Sequence, residues 1–172
     1  MRPVTNPVAE QPHMREYGIG GEDWKPLPWS WAAERLDRYR NFWVVTASKT
    51  GRPHAMPVWG VWDNEAKAFA FSCAPGSRKA ANLRANPQVT VTGDSTVEAI
   101  SIEGTAIELS GTDEAEPWIK AYVAKYGPGT SPEFIRQHAI FLVTPERAFA
   151  IIETEEEFST RATRWRFDGG RE

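Results

Sequence analysis

Ser77, Arg78 and Lys79 are consecutive residues at the start of a predicted helix, directly after a turn at Ala74-Pro75-Gly76. That helix spans residues 77–85 and is stopped by Asn86-Pro87. Cations at a helix start oppose the helix dipole, which favours anions there. A bound anion reverses the penalty. The free N–H groups of the first turn, the Ser77 hydroxyl and the two cationic side chains would then converge on it. Phosphate is the anion most often held this way. Two solvated cations on a surface helix would account for the same residues, and local chemistry leaves both readings open. Ser77 also suits an N-cap, a role compatible with ligand contact.

The chain offers little other side-chain chemistry. It has no His-Glu-x-x-His, no cysteine pair, no Gly-x-Ser-x-Gly elbow, no phosphate-binding Gly-Lys-Ser/Thr loop and no Gly-x-Gly-x-x-Gly. The expected metal complement is none. An enzyme built on this chain therefore relies on a cofactor for the hard chemistry. His54 is the candidate proton donor, because imidazole is the side chain that changes charge nearest neutral pH. His54 and His138 are also the only candidate haem ligands outside the N-terminal arm, and neither lies in a recognisable motif.

The elements that must position these residues follow from pattern. Residues 1–29 carry five prolines and the Gly18, Gly20, Gly21 cluster, and read as an irregular arm anchored by Tyr17, Trp24, Leu27 and Trp29. Residues 30–172 read as one domain. A helix with Ser30 as N-cap covers 30–39. Strands are predicted at 42–47, 54–62, 67–73, 88–92, 97–109, 140–144 with 147–152, and 163–167. Pro57 puts its strand at an edge, at a bulge or against something other than a strand. Gly104 marks a bend. Further helices are predicted at 116–126 and after Ser131-Pro132, with 153–157 a solvated acidic loop. Short helices inserted among about six strands predict a mainly β protein, a compact antiparallel barrel.

Composition bounds the function. At 172 residues the chain fits a single domain with a real core. Its net charge of −3 argues against a nucleic-acid surface. Eight tryptophans are unusual; most of the excess reads as packing, and large flat side chains also suit a planar ligand. Cys73, the only cysteine, reads as a small core residue. No run approaches a membrane span and residues 1–11 lack the apolar core of a signal peptide, so the expectation is a soluble, cytoplasmic protein.

Taken in order, Gly51-Arg52-Pro53-His54-Ala55-Met56-Pro57-Val58-Trp59, Phe69-Ala70-Phe71-Ser72, Ser77-Arg78-Lys79-Ala80-Ala81-Asn82-Leu83 and Asn86-Pro87-Gln88-Val89 resemble the pyridoxamine 5′-phosphate oxidase-like superfamily over about residues 30–167. The ending Thr163-Arg164-Trp165-Arg166-Phe167 resembles its actinobacterial branch that uses the deazaflavin F420. The resemblance implies a six-stranded antiparallel split β-barrel and a homodimer with cofactors at the subunit interface. It implies that Met56, Pro57, Val58 and Trp59 line the cofactor ring, largely through backbone groups. Ser72 would approach the ribityl region, Ser77, Arg78 and Lys79 would clamp the phosphate with Asn82 in reach, and Trp165 would close the site. The implied activity is hydride transfer from reduced F420 to an activated double bond of a small acceptor. The alternatives are an FMN-dependent oxidase or reductase and a non-catalytic flavin or deazaflavin binder. Lys49, Arg52 and Arg84 are candidates for the anionic tail of F420.

Overall fold

The computed structural model describes residues 6–127 and 129–167. The first residues of the arm, the middle of the Gly127-Pro128-Gly129 turn and the C-terminal end of the predicted domain lie outside the described residues. Among those described, the chain forms nine strands and five α-helices.

The first helix, α1 (Trp29–Arg38), shows how packing selects the elements. Trp29, Ala32, Ala33 and Leu36 repeat at helical spacing and are all buried, which gives the helix one apolar stripe. It begins one residue earlier than predicted. Pro28 is its N-cap and Ser30 makes no capping bond, because Trp29 is drawn into the core. There the Trp29 ring meets Trp165 at 5.4 Å, Trp62 at 5.7 Å and Phe167 at 5.1 Å, all edge-on.

The sheet is antiparallel throughout. Its main path runs β1 (Val8–Glu10), β9 (Thr163–Arg166), β8 (Ala139–Ile152), β7 (Glu98–Glu108), β6 (Gln88–Gly93), β2 (Phe42–Ala47), β3 (Pro53–Val58). A branch adds β4 (Gly60–Asp63) and β5 (Ala68–Cys73), with β5 pairing β8. The split lies on β8. One of its edges pairs β7, while the other pairs β5 through residues 139–143 and β9 through residues 147–150. Between the two branches the register of β7 against β8 slips at Glu103/Gly104, opposite Pro145.

Nine strands replace the six expected, for local reasons. The long strand predicted over 54–62 breaks at Trp59 into β3 and β4. The arm is not wholly irregular: β1 pairs β9, Ile19 and Leu27 are buried, and the Trp24 indole donates to the Ala162 carbonyl at 2.8 Å. The terminal strand β9, predicted over 163–167, completes the count.

Gly104 permits the bend. A Cβ there would lie 2.2 Å from the Thr144 carbonyl oxygen and 3.0 Å from Pro145 Cα. Both neighbours are backbone and cannot swing away. Gly104→Ala is therefore expected to cost about 3 kcal/mol, read as a lowered urea midpoint at unchanged slope.

Two clusters divide the interior. The barrel core holds Phe42, Phe69, Phe71, Phe141, Ile102 and Trp165 among others. A second, small cluster of Ala115, Ile119, Ile135 and Ile140 binds α3 (Thr112–Tyr126) and α4 (Pro132–Arg136) to the start of β8. No helix among the described residues is long and apolar enough to cross a membrane.

Candidate functional site

The helix start singled out by sequence is built as expected. Ser77, extended at φ −69° and ψ 155°, caps α2 (Arg78–Ala85), and its Oγ accepts the Ala80 N–H at 3.3 Å. The Ser77 carbonyl accepts the Ala81 N–H at 3.0 Å. The N–H groups of Arg78 and Lys79 precede the first possible helical acceptor and stay free for a ligand. Arg78 is exposed and Lys79 half-buried, and neither makes an ion pair among the described residues. Cys73, just before the turn, is buried, and burial pushes its thiol above the usual range.

Two predicted contacts go elsewhere. Asn82 is buried beneath α2, and its amide donates to Thr46 Oγ1 at 2.9 Å. It faces the barrel because it lies on the packed side of the helix, where a polar group needs a partner. Its role is to tie α2 to β2. Trp165 is 1% exposed, with its ring inside the core against Trp29. The inward alternation of β9 puts it there, so its side chain does not close an open site.

Among the described residues the strand predicted to carry a cofactor ring, β3, pairs only with β2 and leaves its other edge open. Pro53 and Pro57 share one side of it, opposite Ala47 and Trp43. Prolines suit an edge and prevent a further strand from adding there. His54, Met56 and Val58 face the other way, opposite Thr46, Val44 and Phe42. Met56 is 43% exposed and Val58 buried. His54 Nδ1 is buried with no hydrogen-bond partner. The Thr46 hydroxyl that receives Asn82 lies 3.5 Å from the His54 carbonyl. The helix start and the open strand are thereby joined through two side chains.

Ser72 lies beneath α3, and its hydroxyl bonds Tyr122, whose phenol is pushed up mainly by burial. Lys49 and Arg52 are exposed on the β2–β3 turn without ion pairs among the described residues. Arg84 is occupied: it grips both oxygens of Glu108 at 2.7 and 2.8 Å and the Pro75 carbonyl at 2.7 Å. That bidentate pair removes it from any tail-binding groove. His138 belongs to the α3–α4 region, with Nδ1 against the Phe134 carbonyl at 2.6 Å. No cluster of three or more His, Cys, Asp or Glu among the described residues could hold a metal. A cavity of about 390 Å³ lies on the outer face of β7–β9, lined by Met14, Glu103 and Arg164 among others, and includes no residue of α2 or β3.

Sequence reasoning missed the contribution of α3. Its spacing marks Tyr126 as a core residue. The structure stacks the Tyr126 ring on Trp59 at 4.7 Å and 5°. Its hydroxyl accepts the Gly60 N–H at 2.9 Å and shares its hydrogen between the Arg40 and Gly60 carbonyls, 2.8 Å each. The available signal was Gly60 itself, where a Cβ would fall 2.2 Å from the Phe69 ring. A glycine of that kind marks the strand break that Tyr126 clamps.

Lys125 lies beside this break, its ammonium 3.2 Å from the Gly60 carbonyl and 5.0 Å from the Phe42 ring. Burial lowers its pKa from 10.5 to about 8, against the weaker raising effect of Asp37 and Asp94. Between those values the unfolded chain holds a proton that the folded one has released, so stability rises with pH across the window. Tyr39 and Tyr126, pushed from 10.0 to about 12 by burial, have the opposite effect over their own window, where the folded state keeps protons the unfolded chain has lost. Urea midpoints are expected to climb from pH 8 toward pH 10, and Lys125→Met to flatten that climb.

The family profile described as pyridoxamine 5′-phosphate oxidase matches residues 32–152, from α1 to the end of β8. The chain belongs to that family. Its split-barrel fold recurs in solved structures of low identity. An F420 reductase is 22% identical with a TM-score of 0.55, covering 67% of this chain and 93% of its own. The heme storage protein HutZ of Vibrio cholerae is 16% identical with a TM-score of 0.60, covering 70% and 92%. A conserved hypothetical protein of Mycobacterium tuberculosis is 19% identical with a TM-score of 0.62, covering 74% and 86%. A comparison with curated proteins finds no match. At these identities the neighbours establish the fold of this family member, and that fold accommodates both a reductase and a heme protein.

Proposed function

We propose that this protein is an oxidoreductase that binds F420 and transfers a hydride from the reduced deazaflavin to an activated double bond of a small organic acceptor. The observation that carries the reading is the uncompensated start of α2, joined through Asn82, Thr46 and His54 to the open edge of β3. Phosphate chemistry fits the first feature and a flat ring fits the second. Ser77, Arg78 and Lys79 would hold the phosphate. Met56, Pro57, Val58 and the Trp59 backbone would present a strand edge to the ring. Ser72 lies one element away, beneath Tyr122. Bound there, the cofactor supplies the hydride, and the chain supplies placement and electrostatic complementarity. His54, with Nδ1 buried and unpartnered, is the group placed to hold a proton beside β3.

F420 is favoured over FMN by Lys49 and Arg52. Both lie on the turn into β3, exposed and without ion pairs among the described residues, where an anionic tail beyond the clamp would reach them. The structural likeness to an F420 reductase supports the same choice. The functional unit in this reading is a homodimer in the cytoplasm with the cofactor at the subunit interface. The test is anaerobic turnover: purified protein, reduced F420 and a panel of enones and quinones, followed by the absorbance of the cofactor. Acceptor-dependent oxidation that disappears in Arg78→Ala/Lys79→Ala supports the assignment. The same rates with reduced FMN would move the protein to the flavin reading. Binding without turnover would make it a carrier.

A further inference from the structure

Trp59 is 40% exposed although three side chains crowd it. Tyr126 stacks on one face at 4.7 Å, Tyr122 stands 6.5 Å away and the Arg40 guanidinium 5.1 Å away. Tyr122 is also 4.7 Å from Tyr126, and Arg40 is 5.6 Å from it. Tyr122 and Arg40 are too near Tyr126 to lie over the opposite indole face, so none of the three covers it.

The platform is fixed in advance. The Tyr126 hydroxyl bonds the Gly60 N–H and the carbonyls of Gly60 and Arg40. One phenol thus anchors the stacked ring, the strand break and the backbone of the cation. Arg40 and Lys125 bring two cations to the platform, with Asp37 and Asp94 acting on it from farther away. Arg40 is exposed and makes no ion pair among the described residues. Among the described residues the Lys125 ammonium contacts the Gly60 carbonyl and two aromatic rings. Asp37 and Asp94 act on Lys125 without contacting it.

We propose that the open face of Trp59, backed by Tyr126 and flanked by Arg40, is a binding site for a planar conjugated anion: a flat ring carrying a carboxylate or enolate. The ring stacks on the indole and the anionic group pairs with the guanidinium at the platform's edge. As the acceptor site of an oxidoreductase this rests on the function proposed above, and it names the acceptor's class. As a binding site it stands alone.

The experiment uses naphthalene-2-carboxylate and its neutral carboxamide on the full chain, followed by the Trp59 indole N–H resonance, assigned with Trp59→Phe. The carboxylate is expected to shift that resonance saturably and to bind about tenfold more tightly than the carboxamide. Arg40→Gln is expected to bring the carboxylate down to the carboxamide's affinity and to leave the carboxamide unchanged. Equal affinity for the two probes overturns the proposal. So does a Trp59 resonance that ignores the carboxylate, or one that moves with protein concentration alone because a second copy covers the face. Carboxylate binding in a protein that takes neither F420 nor FMN would sink the oxidoreductase reading and leave this site standing. The reverse result would sink this site alone.

Discussion

Replacing Arg78 and Lys79 together by alanine is expected to weaken cofactor binding about 100-fold or more and to leave the free protein at least as stable. Each cation lost removes a charge-assisted hydrogen bond to phosphate, worth about 1.5–3 kcal/mol. Partial exposure of the pair places the sum toward the lower end. Stability moves the other way. Both cations face the positive end of the helix dipole with no acidic partner among the described residues. Each removal relieves an unfavourable interaction of about 0.3–1 kcal/mol at low salt. The Ser77 cap is untouched. Calorimetric affinity and melting temperature, measured on one preparation, are expected to change with opposite sign. Unchanged affinity would return both residues to the status of solvated surface charge.

Trp165→Ala is expected to be the most damaging core substitution, at about 3–5 kcal/mol. The ring is fully buried, packs edge-on against Trp29, and sits where β9 closes on β8. Trp29 in turn carries contacts to Trp62 and Phe167, so a void at Trp165 loosens the joint between α1 and the barrel. Trp165→Phe keeps an aromatic volume and is expected to recover much of the loss. Affinity for the cofactor, measured on the fraction that remains folded, is expected to stay near the parent value. A selective loss of affinity in a stably folded Trp165→Phe protein would restore this residue to the site.

These three residues show what the sequence made legible. The clamp is local chemistry: a turn, a capping serine and two cations opening an eight-residue helix can be read from their order alone. The edge position of Pro57 and the bend at Gly104 were equally readable, since each follows from a backbone restriction of one residue type. Asn82 and Trp165 point inward because face matters more than proximity. Asn82 lies one turn from Lys79 yet points under α2 to Thr46, and Trp165 follows the inward alternation of a strand whose partners are far away in sequence. The break at Trp59 falls in a run predicted as one strand interrupted by Pro57 and Gly60. It is imposed by the Phe69 ring and by Tyr126, which is 66 residues distant. The early start of α3 at Thr112 was masked by Pro117, which pattern alone assigns to a first turn. β1 was unreadable because three residues carry too little pattern, and only pairing with β9 makes them a strand.

In the proposed function a ribityl-phosphate cofactor bridges the start of α2 and the open edge of β3. Paired titration calorimetry of the cofactor-free protein with F420 and with FMN tests it most directly. Saturable binding of one cofactor per chain is expected, with F420 the tighter of the two. Heats indistinguishable from dilution for both would contradict the clamp and the function built on it.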